Sequence, residues 1–370
     1  MPLRNRFMKI AIDIRALMEG KTTGVEVYLV NLLHELFKID SKNQYVLFAN
    51  SFRAVSLPSF NYSNVKLIVT KYPNKIFNLS QKLGFLQMEK LLGPVDLFFS
   101  PHWRVTALRR NLPTVVTFHD LSFELVPEFF TRRQRYWHRF MNFRKAATRS
   151  TRIIAVSEST KRDLVDLYAV KPEKIRVVYP GPGLVVAPDS VSSGERDYFL
   201  CFATQEPRKN LEGALAAYEL YRRMSRSPRR LVIAGSRGWI GKLSVPPRLR
   251  PYVELRSDVS ELEKTELFRS AFAFIFVSFY EGFGFPALEA ARSELPVIVS
   301  RVASLQEIAR DFGIFINPFR PAQIAESMFA LENDQPWYED RARKARQASE
   351  KYSWERAARE TLNIFSEAAR

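Results

Sequence analysis

The stretch "FVSFYEGFGFPALEAARSELPVIVS", residues 276–300, sets two apolar runs on either side of a glycine-rich loop. The run "AFAFIFVS" ends as a strand near Ser278, and "PALEAARS" consists of good helix formers. Pro286 suits the first helical position, where a missing N–H costs nothing. Strand, tight turn, short helix and a second apolar strand "PVIVS" make a βαβ unit of a parallel sheet. Gly282 and Gly284 let the backbone of residues 279–285 approach a ligand closely, and the helix amino end favours phosphate. Glu281 lies in the turn and Glu289 one turn into the helix. Carboxylates there would repel a phosphate, so they are expected to face neutral, hydroxyl-rich groups. A sugar and a ribose flanking a diphosphate meet that requirement. The alternative is a plain glycine turn with a solvated helix glutamate.

The same alternation extends outward along the chain. Strand-like runs in the first half are "MKIAIDIRA", "QYVLFAN", "VKLIVT", "VDLFFSP", "TVVTFHD", "RIIAVSE" and "IRVVYPG". Those in the second half are "YFLCFAT", "RRLVIAGS", "YVELRS", "AFIFVS", "PVIVS" and "GIFIN". Helix-like stretches at 24–38, 157–168, 210–225, 260–270, 287–293 and 321–332 separate them. The fold class expected is α/β, with two doubly wound Rossmann-like domains facing across a cleft. Residues 1–182 form the first domain and 197–352 the second, joined by the Pro-, Gly- and Ser-rich linker 183–196. Ligands of such sheets bind beyond the carboxyl ends of the strands.

Bulk composition agrees with a folded two-domain chain. Its 370 residues suffice for two cores, and 46% hydrophobic with 26% charged residues excludes a disordered tail. Cys201 is the single cysteine, so there is no internal disulfide; within "YFLCFAT" it reads as a core residue. No run reaches the roughly 18–20 apolar residues of a membrane span, and the first apolar run reads as a strand rather than a signal peptide. A cytoplasmic location is expected. The net charge of +17 implies anionic partners: nucleic acid, phospholipid or a phosphorylated substrate.

Three further places carry candidate chemistry. "TQEPRKNLEGAL" puts Arg208 and Lys209 between a strand and a helix, where two cations suit a diphosphate leaving group or form a solvated pair. Gly24 opens a helix after the first strand. His119 sits at a strand's carboxyl end and can accept or position a proton near neutral pH, with Asp120 capping or orienting it.

Taken together, "FYEGFGFPALEA" (an E-x7-E signature), "EPRKN", the Gly24 loop, "TFHDLSF", "RIIAVSEST" and the tail "YSWERAARETL" are recognisable. Over about residues 8–365 the chain resembles the retaining GT-B glycosyltransferases of family 4, also called glycosyl transferases group 1. The "TFHDLSFELVPEFF" region looks most like members that transfer mannose-type sugars to surface polysaccharides and lipid-linked glycans. The resemblance implies a nucleotide-sugar donor such as GDP-mannose, a glycan or lipid-linked acceptor, and no metal or other cofactor. It implies Arg208 and Lys209 on the diphosphate, Glu281 and the Phe283–Phe285 backbone on the sugar hydroxyls, and Glu289 on the ribose. Gly24 would approach donor phosphate or acceptor, and His119 would bond the donor sugar near the reacting carbon. The last helix, about 353–370, would cross back to the first domain. One feature departs from the family pattern: "YPGPGL" replaces its usual P-N-G-V/I-D.

"TRRQRYWHRFMNFRKAATRS" (131–150) holds seven Arg/Lys and no acid. On one helix Tyr136, Phe140, Phe143 and Ala147 form an apolar stripe with Trp137 alongside. Arg132, Arg135, Trp137, Arg139 and Phe140 are candidate contacts to an anionic membrane's inner face; the alternative is a domain helix with solvated arginines. No helix-turn-helix, zinc-finger or RNP pattern supports nucleic acid. The function expected is retaining transfer of a sugar from a nucleoside diphosphate to a hydroxyl. The rivals are a GT-B epimerase or phosphorylase and a non-catalytic polyanion- or membrane-binding protein.

Overall fold

The computed structural model describes residues 7–19, 24–52, 55, 57–183, 196–236, 238 and 243–370. Two compact units divide the chain: Met1–Phe123, Phe130–Gly181 and Ser353–Arg370 form one, Glu124–Phe129 and Pro182–Tyr352 the other. Of the linker expected at 183–196, residues 184–195 lie outside the described residues.

The first unit is built on a seven-stranded parallel sheet. Its strands are β1 (Lys9–Asp13), β2 (Gln44–Asn50), β3 (Val65–Thr70), β4 (Leu97–Ser100), β5 (Thr114–Phe118), β6 (Arg152–Ala155) and β7 (Ile175–Val177). They run in the order β3-β2-β1-β4-β5-β6-β7. β4 and β5 are buried at every residue, as a sheet covered on both faces demands. The connecting helices are α1 (Gly24–Ile39), α2 (Asn74–Leu83), α3 (Met88–Leu92), α4 (Ser122–Leu125), α5 (Arg132–Met141), α6 (Phe143–Arg149) and α7 (Glu158–Tyr168).

The second unit has six parallel strands: β8 (Tyr198–Phe202), β9 (Arg230–Gly235), β10 (Val253–Ser257), β11 (Ala271–Phe276), β12 (Val297–Ser300) and β13 (Gly313–Ile316). Their order is β10-β9-β8-β11-β12-β13. Helices α8 (Leu211–Met224), α9 (Glu261–Ser270), α10 (Phe285–Arg292), α11 (Leu305–Ile308), α12 (Pro321–Asn333) and α13 (Gln335–Ser349) cover it. Alternate residues of β11 feed opposite cores. Ala273 and Ile275 point into one, Phe274 and Phe276 into the other. This is the period of two that a sheet buried on both faces imposes.

The last helix, α14 (Trp354–Ala368), belongs to the first unit and packs on α1. Phe365 meets Phe99 at 5.0 Å and Trp354 meets Tyr28 at 5.7 Å between ring centroids. Glu367 pairs with Arg152 and Arg176.

The basic segment differs from the single helix expected. Asn142 adopts φ 51°, ends α5 as its C-cap and starts α6 by accepting from the Lys145 amide. The break splits the stripe. Phe143 and Ala147 enter the core with Trp137 and Phe140 packed against it, while Tyr136 faces solvent. The apolar side chains of α5 thus serve mainly their own domain; Arg132, Arg135 and Arg139 remain exposed.

Candidate active site

Each sheet reverses its strand order at one place, between β1 and β4 in the first unit and between β8 and β11 in the second. Such switch points open a crevice at the carboxyl ends of the strands. The second crevice collects Arg208, Lys209 and Glu281.

After β8 the chain turns through Pro207–Lys209 in a 3-10 turn and enters α8 at Asn210, which has φ 54°. The Asn210 amide donates to the carbonyls of Val277, 3.1 Å, and Pro318, 2.9 Å. Phe279 N–H donates to the Arg208 carbonyl at 2.8 Å. The two loops are therefore tied together, and the side chains follow. Lys209 Nζ lies 2.6 Å from Glu281 Oε1, and Arg208 Nη1 lies 3.2 Å from Glu281 Oε2. Arg208 Nε also reaches Glu206 Oε2 at 2.8 Å. Asn210→Ala is expected to cost about 2 kcal/mol in urea unfolding, because two buried carbonyls lose a donor and alanine resists the left-handed backbone. Asn210→Gly, free of the backbone strain, should lose less; equal losses would remove the strain from the account.

The glycine loop is held from below. Ser304 Oγ donates to the carbonyls of Glu281, 2.8 Å, and Phe283, 3.2 Å. Gly284 caps α10 with φ 104°, and a Cβ there would meet Leu305 Cδ2 at 2.6 Å. Only glycine fits, as the close turn requires. α10 begins at Phe285, so Pro286 occupies its second rather than its first position. Phe283 is buried and Phe285 stands against it at 5.1 Å.

The carboxylates differ from the expected pair facing neutral groups. Both are buried, and each already faces a cation. Burial alone would raise the Glu281 pKa, but Lys209 and Arg208 together outweigh it and hold the carboxyl below its usual value. Glu289, 1% exposed, receives Lys264 Nζ on Oε1 at 2.8 Å, while Oε2 has no hydrogen-bond partner among the described residues. Burial dominates there and pushes its carboxyl up, only partly offset by Lys264. Sequence reasoning missed Lys264. The signal was present: Lys264 shares the buried face of α9 with Leu267 and Phe268, at the i, i+3, i+4 spacing of core positions.

In the first unit, Gly24 opens α1; residues 20–23 before it lie outside the described residues. His119 Nε2 lies 2.8 Å from the Pro101 carbonyl. A carbonyl only accepts, so Nε2 carries the proton and Nδ1 is left as an acceptor. Burial lowers the His119 pKa, against the opposing pull of Pro101 and Asp120, so the ring is neutral near pH 7. Asp120 does not orient it: its Oδ1 accepts from the Ser122 amide and hydroxyl at the start of α4. Two groups at this crevice escaped notice in the sequence. His102 stacks obliquely 5.7 Å from His119, its pKa held well down by burial. Arg15 clasps Asp13 at the end of β1, Nη2 to Oδ2 2.6 Å.

Comparison with known proteins places these crevices in context. Residues 22–182 match the family described as Glycosyltransferase Family 4, and residues 187–351 that described as Glycosyl transferases group 1. The chain is 26% identical over 329 residues to the O-antigen chain mannosyltransferase B of Escherichia coli, covering 80% of this chain and 86% of that protein. Among solved structures, sucrose-phosphate synthase from Thermosynechococcus elongatus aligns with TM-score 0.72 at 16% identity, over 97% and 98% of the two chains. Anabaena HepE in complex with UDP-glucose aligns with TM-score 0.69 at 16% identity, over 97% and 100%. These neighbours share the fold of two Rossmann-like domains. The chain belongs to the glycosyl transferases group 1 family, with a first half of the Glycosyltransferase Family 4 type.

Proposed function

We propose that the protein transfers a hexose, mannose in the first instance, from a nucleoside diphosphate to a hydroxyl of a glycan or lipid-linked acceptor, with retained anomeric configuration and without a metal. The observation that carries this reading is the Arg208–Lys209–Glu281 cluster at the β8/β11 crevice. As the bond from the sugar carbon to the diphosphate breaks and a bond to the acceptor oxygen forms, charge grows on the departing phosphate. Two cations held in place beforehand by Glu206 and Glu281 meet that charge without reorganising. Glu281 keeps further lone pairs for a sugar hydroxyl. The unpartnered Glu289 Oε2 suits a ribose hydroxyl as donor, and the neutral His119 offers Nδ1 as an acceptor. The mannose assignment is supported by the name of the Escherichia coli relative. A surface-glycan acceptor fits work at the inner face of the cytoplasmic membrane; among the described residues no helix is long and apolar enough to cross one.

Thermal shift against GDP-, UDP-, ADP- and dTDP-sugars tests the donor, since a ligand bound only by the fold stabilises it by mass action. One nucleotide sugar is expected to shift the melting transition far more than the others, with mannose transfer seen by mass spectrometry. No shift with any of them would overturn the reading. An epimerised nucleotide sugar, or sugar phosphate formed from added phosphate, would replace transfer by another reaction.

A further inference from the structure

The loop after β13 presents a phenyl ring to solvent: Phe319 is 74% exposed. The loop itself is held at several points. The Phe319 amide donates to Asn317 Oδ1 at 3.0 Å, and the Asn317 amide donates to Gln323 Oε1 at 3.0 Å. The carbonyl of the buried Pro318 accepts from the Asn210 side chain at 2.9 Å. The Phe319 ring stacks on Phe279, with centroids 4.8 Å and planes 27° apart. Phe279 stacks in turn on Phe129 at 5.5 Å, and all three rings belong to the second unit. Because Phe279 N–H donates to the Arg208 carbonyl, the stack is fixed to the cluster of Arg208, Lys209 and Glu281.

A groove of about 750 Å3 begins at the next residue, Arg320, and is lined by α8 and the first turns of α12. Leu220 and Pro321 give it apolar wall. Its two arginines, Arg223 and Arg320, are matched by two glutamates, Glu219 and Glu326, so a neutral polymer suits it better than an anionic one. Ring and groove lie on one face of the sheet. α8 and α12 share one core, whereas α9 and α10, which carry Lys264 and Glu289, share the other. A nucleoside bound at Glu289 therefore leaves the Phe319 side to the other reactant.

We propose that Phe319 and the α8/α12 groove bind a chain of pyranose rings, the portion of a polysaccharide acceptor already built. One face of a pyranose is a plane of C–H groups with partial positive charge, which stacks on the negative face of a phenyl ring. Its rim of hydroxyls both donates and accepts, and a groove with guanidinium and carboxylate groups beside apolar wall meets both needs. The inference rests on the reading of glycosyl transfer to a glycan and deepens it. A second hold on the chain, away from its reacting end, raises the effective concentration of that end at the crevice.

The test is titration calorimetry of the full chain with α-mannotetraose, maltotetraose and chitotetraose, each beside its monosaccharide. At least one tetrasaccharide is expected to bind, and more tightly than its monosaccharide. Phe319→Ala should weaken that binding roughly tenfold. Phe319→Trp, which keeps a stacking face, should retain it and report it by a change in indole fluorescence. Arg320→Ala/Glu326→Ala should weaken the tetrasaccharide and spare the monosaccharide. The altered residues are all exposed, and the nucleotide-sugar melting shift of each variant shows that the donor site is intact. That shift fails in wild type if the functional reading fails, whereas tetrasaccharide binding fails if the groove does. No tetrasaccharide bound by wild type, or unchanged binding by Phe319→Ala, overturns the proposal. So does a nucleotide-sugar shift that Phe319→Ala abolishes, since the ring would then hold the base. A wild-type dimer that Phe319→Ala dissolves overturns it too, because the ring would then serve a second copy of the chain.

Discussion

Arg208→Ala/Lys209→Ala is expected to lower kcat/KM by at least about a thousandfold, with kcat falling as well as KM rising. Removing one positioned donor to a developing anion typically costs a hundredfold to a thousandfold, and this variant removes both cations of the crevice. The fall in kcat distinguishes stabilisation of the transition state from simple donor capture. A stability effect accompanies it and has a definite sign. In the wild type, Glu281 titrates below its unfolded value. It therefore contributes stability that is present above that value and lost as pH falls through the folded pKa. Without the cations burial, the largest influence, is opposed only by the Ser278 side chain; the carboxyl is then expected to titrate above its unfolded value, and the contribution reverses: present at acid pH, lost as pH rises. Unfolding should thus become easier from acid to neutral pH in the variant, opposite to the Glu281 contribution in wild type. Steady-state kinetics with the identified donor, beside urea unfolding at pH 4–8, checks both parts. Equal turnover would take Arg208 and Lys209 out of the chemistry.

Lys264→Met is expected to destabilise the second unit by about 3 kcal/mol and to raise the donor KM roughly tenfold or more, with kcat affected less. Breaking a buried ion pair by removing one partner leaves an uncompensated charge, which costs more than the intact pair contributes. Glu289 is then the group left alone. Its carboxyl already titrates above the unfolded value, so its stabilising contribution is complete below that value and lost as pH rises through the folded pKa. Taking away the Lys264 charge moves the folded pKa higher still. A larger share of Glu289 is then protonated at neutral pH, and a protonated carboxyl is a poorer acceptor for a ribose hydroxyl. The acidic limb of the kcat/KM profile should move to higher pH, a change that a merely structural lysine would not produce. Lys264→Arg, which keeps the charge, should restore the limb if the site admits the guanidinium. An unshifted profile in Lys264→Met would leave Lys264 as a packing residue alone.

How much of this was legible beforehand varies by element. All thirteen strand-like runs contain strands, because buried parallel strands read as short apolar runs between turns, a strictly local pattern. The E-x7-E loop was legible for the same reason: Gly284 must be glycine to cap α10 at φ 104°, and that demand is written at one position. Contacts between distant segments were not. Glu281 meets Lys209 across 72 residues and Glu289 meets Lys264 across 25. The carboxylates were expected to face hydroxyl groups, whereas folding first gives each a buried cation. Likewise the α5 stripe looked continuous by spacing, until Asn142 broke the helix and Phe143 turned inward.

By itself, then, the sequence determined the two parallel sheets, the tight turns at their carboxyl ends and the residue types gathered there, since hydrophobic period, propensity and glycine's backbone freedom act within a few residues. The tertiary structure alone decided which charges neutralise one another and which apolar faces stay exposed. Pairing and burial depend on how strands far apart in the chain lie side by side: β8 beside β11 brings Arg208 and Lys209 to Glu281. They depend equally on which side of a helix finds a core. α2 shows the limit most clearly, where Phe77 and Gln81 go inward and Ile76, Leu79 and Leu83 face out, a choice made by the sheet it packs on rather than by its own periodicity.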